Sequence, residues 1–259
     1  MGHTIIGRLP KSERWRVVVE LLQGPTLDTR AVAGATVKAA YERLRLLGRD
    51  PSLTYCFWLL VRMASAARGA DFVTDVAHLG IQIQRDDTAL SAIGRVADRA
   101  QNELNRHPES GPFGELAAMA LRRALLETVG SEGRSLFGSS LEDLERAFRR
   151  HSSAAQFGEL TKLFFGDFYA RTLRFYVDRE LSNSVGTGGA LATVANADDF
   201  ATALDRHARQ SAAIVETFAA GWYSKRSWER EGAIPLEDAQ GFVAHALTKL
   251  RKELLLDAR

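Results

Sequence analysis

The chain has 259 residues, 46% hydrophobic and 25% charged, with 34 Lys and Arg against 32 Asp and Glu for a formal net charge of +2. A chain of this length buries a substantial core and fits one large domain or two small ones, while the near-neutral charge excludes the large basic excess typical of dedicated nucleic-acid binders. The single cysteine, Cys56, excludes an internal disulfide; set in the apolar run TYCFWLLV, it reads as a buried inert thiol in a reducing compartment.

Arginine outnumbers lysine and alanine is abundant, a bias that a GC-rich bacterial genome explains without any functional demand for guanidinium groups. The opening MGHTIIGRLPKSERW has no apolar h-region, and Ile6 stands where a myristoylation pattern needs Ser or Thr. No stretch reaches the roughly 18 uninterrupted apolar residues of a membrane span. The expectation is a cytoplasmic protein without membrane attachment.

From Pro10, KSERWRVVVELLQG predicts a short helix stopped by Gly24 and Pro25, after an extended arm HTIIGRLP. Asp28 to Leu47 reads as one helix with Ala33, Val37, Ala40, Leu44 and Leu47 on one side and Gly48 as its stop. Asp50-Pro51 opens the next, because Asp accepts from the first amides and Pro suits the first helical position. Its residues Tyr55, Trp58, Leu59, Leu60 and Met63 are too dense for a surface element and place it in the core. A shorter helix, Asp71 to Leu79, ends at Gly80. The alternation Ile81-Gln82-Ile83-Gln84 has strand character but is too short to support a sheet. Leu90, Ile93, Ala97, Ala100 and Leu104 mark an amphipathic helix that Asp87 or Thr88 caps. The loop HPESGPFG, residues 107–114, divides an N-terminal helical bundle (1–110) from a C-terminal one (111–259), or turns within one continuous domain.

Phe113 to Val129 forms the next helix, and Gly130, Gly133 and Gly138 punctuate the loop after it. Ser139-Ser140-Leu141-Glu142 offers a capping box for a helix to about Arg150. Ser152 or Ser153 then caps a long helix at 153–185 that is apolar on nearly every side, the pattern of an element with neighbours on several faces. After the small-residue loop SVGTGGALATVAN, Asp198 starts another long helix with Phe200, Leu204, His207, Ser211, Ile214, Val215 and Phe218 inward, fraying within GWYSKRSWERE. Ile234-Pro235 opens a terminal helix. The fold class is all-α: a multi-helix bundle of about nine to eleven helices around the long apolar helix at 153–185.

Four features bear on chemistry. Asp167, Arg171, Arg174 and Asp178 form one polar strip on the long helix at i, i+4, i+7 and i+11. Such a strip is either a solvated row of ion pairs or, if partly covered, a place where two guanidiniums meet a carboxylate or phosphate. His207 lies on an apolar face, where a packed, satisfied imidazole is the commoner outcome than a ligand or base. The segment Trp222-Tyr223-Ser224-Lys225-Arg226-Ser227-Trp228-Glu229-Arg230 interleaves aromatics with cations, suiting a helix end folded back on the core, a protein interface, or stacked bases and phosphates. Gly186-Thr187-Gly188-Gly189 follows a helix and lacks a Walker lysine, so it reads as a C-cap and loop rather than a phosphate cradle.

No HExxH, GxSxG or kinase signature is present, and the chain is expected to need neither metal nor cofactor. The favoured reading is a non-enzymatic adaptor or scaffold subunit that binds a protein partner in a larger bacterial assembly. The second is a nucleic-acid-binding helical protein using Lys225, Arg226, Arg230 and the Arg171/Arg174 pair. The third is an enzyme whose site assembles from Asp167, Arg171, Asp178 and His207.

Overall fold

In a computed structural model that describes residues 12–130, 139–186 and 189–258, every regular element is helical. In chain order these are α1 (Glu13–Gln23), α2 (Thr29–Ala39), α3 (Tyr41–Leu46), α4 (Pro51–Ala66), α5 (Phe72–Ala77), α6 (Ala89–Leu104), α7 (Pro112–Gly130), α8 (Leu141–His151), α9 (Ala154–Ser184), α10 (Val194–Ser211), α11 (Ala213–Glu229) and α12 (Leu236–Leu256). The expected arm before Pro10, and Gly133 and Gly138 of the expected loop, lie outside the described residues. No helix among the described residues is long and apolar enough to cross a membrane.

Local capping chemistry sets several boundaries. Asp50 accepts from the Leu53 amide at 2.9 Å ahead of Pro51, and Thr88 accepts from Ser91 at 3.1 Å to open α6. The capping box before α8 falls one residue later than its sequence suggests, pairing Ser140 with Asp143. The amide of Ala89 donates to the Ser139 carbonyl, and that of Leu141 to Asp87, which ties the starts of α6 and α8 together. Ile81 and Ile83 are buried while Gln82 and Gln84 are exposed, so the alternation reports an extended segment pressed on the core without a strand partner among the described residues.

Two of the expected long helices are broken or start elsewhere. The stretch from Asp28 to Leu47 bends at Ala40 into α2, α3 and a 3-10 turn at Leu47–Arg49. The bend lets that turn pack against α12, where Gly48 meets Ala244. α10 starts at Val194 rather than Asp198, because Thr193 accepts from the Asn196 amide at 3.2 Å. The expected long helix also breaks at Ala212, and its second part, α11, continues unfrayed to Glu229. That break lets α10 and α11 both lie along α9.

α9 is 31 residues long and packs against α7, α8, α10 and α11, with further contacts to α1 and α2. Phe157, Phe164, Phe165 and Phe168 are buried, while Phe175 is half-buried. A Cβ added at Gly158 would sit 3.2 Å from the Glu216 carbonyl oxygen, and one at Gly166 would sit 3.2 Å from the Arg209 Cα, so these glycines set the close spacing of α9 against its neighbours. Rings from four helices meet beside them: Phe57 stacks on Phe242 at 5.0 Å, Phe165 lies 5.2 Å from Phe57, and Trp222 lies 4.6 Å from Phe242. Burying one such ring contributes about 1.5–3 kcal/mol.

Candidate functional site

The polar strip on α9 is a joint between helices. Asp167 is only 1% exposed. Arg171 Nε, one turn on, donates to its Oδ2 at 2.5 Å, and Arg209 Nη2 from α10 donates to its Oδ1 at 3.0 Å. Arg123 of α7 adds a third guanidinium 3.5 Å from Oδ1 while also pairing with Glu127. One carboxylate therefore bridges three helices, and both of its oxygens accept from arginines within the chain. Arg174 pairs with Asp178 at 2.5 Å and faces Asp205 of α10 at 3.7 Å. Burial raises the Asp205 carboxyl above its usual range, with Arg174 and Arg209 acting against that rise.

His207 is buried on a different face of α10. The charged groups that influence it are Asp257, Arg30 and Asp28, none of which belongs to the strip, and burial holds its imidazole below the ordinary value. The strip and His207 therefore do not converge on one pocket. Among the described residues no group of three or more His, Cys, Asp and Glu side chains is placed to hold a metal ion.

The aromatic and cationic segment on α11 divides by helical face. Trp222 packs among Phe57, Phe157 and Phe242, and buried Tyr223 stacks on Phe157 at 3.9 Å with 12° between the planes. Arg226 pairs with Glu229 at 2.8 Å, Lys225 lies 3.8 Å from Glu229, and Arg230 pairs with Asp238 at 3.1 Å. Trp228 alone among these aromatics points outward, 84% exposed.

Trp228 stands at the edge of a cleft of about 1160 Å³ bounded by the end of α4, the α8–α9 junction and the outer face of α11. Arg62, Arg68 and Arg149 bring three cations to its walls, against Asp75 and Glu231. Arg149 is held in place by its Nε, which donates to the Ala67 carbonyl at 3.0 Å, and by an ion pair with Glu145. Arg62 packs over the Trp58 ring, its guanidinium carbon 5.8 Å from the centroid. Burial pulls the Arg62 pKa down, an effect that nearby Asp75 opposes. Of these residues only Tyr223 and Trp228 carried a clear compositional signal; Arg62 reads in the sequence as the interruption of an apolar run, and Arg149 as half of a basic dyad.

Comparison with known protein families, characterised proteins and solved structures finds no match to this chain.

Proposed function

We propose that this protein is a non-enzymatic adaptor whose α4–α9–α11 cleft receives an acidic segment of a protein partner. One observation carries the reading: Trp228, 84% exposed, stands beside a cleft that brings together Arg62, Arg68 and Arg149. An exposed tryptophan beside a cleft lined by arginines offers the residue types enriched at binding hot spots. The three guanidiniums outnumber the two carboxylates on the walls, which favours an acidic occupant and disfavours a basic one.

The test is affinity capture from the native host, with and without nuclease, using the wild type, Trp228→Ala and Arg68→Glu. The reading expects a nuclease-resistant protein partner with an acidic segment, lost with either substitution. Capture that disappears with nuclease would instead favour nucleic acid, and capture indifferent to both substitutions would remove the cleft from consideration.

A further inference from the structure

The inner wall of this cleft includes the start of α9, one of several helices here that begin without a side-chain cap. Ser153 occupies the N-cap of α9, yet its hydroxyl does not cap the helix. It donates instead to the Arg150 carbonyl at 3.3 Å, and the Ser152 hydroxyl donates to the Arg149 carbonyl at 2.6 Å. Both serines, expected from sequence to cap α9, thus satisfy the end of α8. The amides of Ala154, Ala155 and Gln156 have no acceptor among the described residues. These amides begin a 31-residue helix, where the aligned peptide dipoles favour negative charge.

A second, independent feature lies across the cleft. Ser227 of α11 lines it, is only 9% exposed, and its Oγ has no hydrogen-bond partner. Arg62 Nε is likewise buried and unpartnered. A buried donor without an acceptor costs desolvation that nothing offsets, so a ligand acceptor that reached it would recover that cost. Here a buried hydroxyl and a buried guanidinium Nε without hydrogen-bond partners belong to two residues that line the same cleft as this helix start.

From this geometry we infer that the cleft binds a tetrahedral oxoanion, the chemistry of a phosphate monoester, between the α9 N-terminus, Ser227 and Arg62. Helix amides and forked guanidinium donors suit phosphate oxygens. The cleft is much larger than one phosphate group, so the anion is the fixed point of a larger ligand. The inference rests on the partner reading above, and it makes the acidic segment one that carries a phosphorylated side chain. Asp75 and Glu231 on the walls oppose non-specific filling by anions and leave the helix start as the favoured position.

The probes are inorganic phosphate, an acidic phosphoserine peptide, the same peptide unphosphorylated, and a mononucleotide, each followed by titration calorimetry on the full chain and on its Trp228→Ala variant. Inorganic phosphate is expected to bind, and the phosphopeptide to bind more tightly than its unphosphorylated form. Arg62→Gln removes a charge-assisted donor and is expected to weaken phosphate binding about tenfold or more. Because Arg62→Gln can also disturb the core, Ser153→Asp serves as the second variant. A carboxylate there caps the free amides, so it is expected to raise Tm while abolishing phosphate binding. Absence of phosphate binding, equal binding of chloride, or undiminished binding in the more stable Ser153→Asp protein would each overturn the oxoanion site. If the unphosphorylated acidic peptide binds Trp228-dependently while phosphate does not, the partner reading stands and the phosphate inference fails. Preference for the mononucleotide would keep the oxoanion site and remove the peptide as its source.

Discussion

Replacing Asp167 by Asn tests whether one buried carboxylate joins α7, α9 and α10. The substitution keeps the side-chain volume but removes the charge, and it turns one acceptor into an amide donor facing guanidinium donors. Hydrogen bonds to a charged group contribute about 1.5–3 kcal/mol each, and unpairing a buried ion costs about 3–5 kcal/mol. The three arginines remain 34%, 39% and 41% exposed, so they rehydrate in part and pull the expected loss to the lower end of that range, about 3 kcal/mol. For a chain of this size that corresponds to a fall in Tm of about 6–12 °C. Asp178→Asn is the control. Asp178 also pairs with an arginine at 2.5 Å but is 45% exposed, so its loss is expected to cost about 0.5 kcal/mol. Urea unfolding followed by far-ultraviolet circular dichroism compares the two, and a double-mutant cycle with Arg209→Gln isolates the contact between α9 and α10. A loss below about 1 kcal/mol for Asp167→Asn, or equal losses for both aspartates, would refute the idea that burial makes Asp167 the joint.

Cys56 is fully buried, and burial pushes its thiol well above the usual range; a thiol-reactive dye is expected to leave the native protein unlabelled and to modify one site per chain in denaturant. His207 is held below its ordinary value of 6.5 by burial, so the unfolded chain takes up its proton more readily than the native one. Its contribution to stability is therefore present above about pH 6.5 and declines as pH falls from there toward the lower native value. His207→Leu is expected to flatten that acid limb, which urea midpoints measured between about pH 7 and pH 5 will show; an unchanged slope would contradict the shift. Gly158→Val brings a branched side chain against the Glu216 carbonyl, and overpacking of about 1–3 kcal/mol is expected to exceed the gain in helix propensity of below about 1 kcal/mol, lowering the urea midpoint.

Those features that depend on a few neighbouring residues were legible in the sequence. Asp50-Pro51 and the periodicity of Leu90, Ile93, Ala97 and Leu104 marked α4 and α6 because capping and amphipathicity are local. The breaks at Ala40 and Ala212 were not legible, since no Gly or Pro stands there and the chain bends to meet α12 and α9. The same limit applies to the polar strip. The i, i+4 spacing pointed to Arg171 beside Asp167, but Arg123 and Arg209 arrive from α7 and α10. In the cleft, Trp228 stood out by composition, whereas Ser153 and Ser227 look like ordinary helix serines until their hydroxyl partners are known.

The ring cluster carries a consequence for biosynthesis. Phe57, Phe165, Trp222 and Phe242 come from segments spread over more than two-thirds of the chain, and the last of them lies in α12. Until the ribosome has released that helix, Phe57 lacks its stacking partner and the surface between α4 and α9 remains uncovered. Contacts of such long sequence separation slow folding and leave nascent chains exposed to aggregation. Truncation before Phe242 is therefore expected to leave a sticky, chaperone-bound intermediate rather than a smaller stable protein.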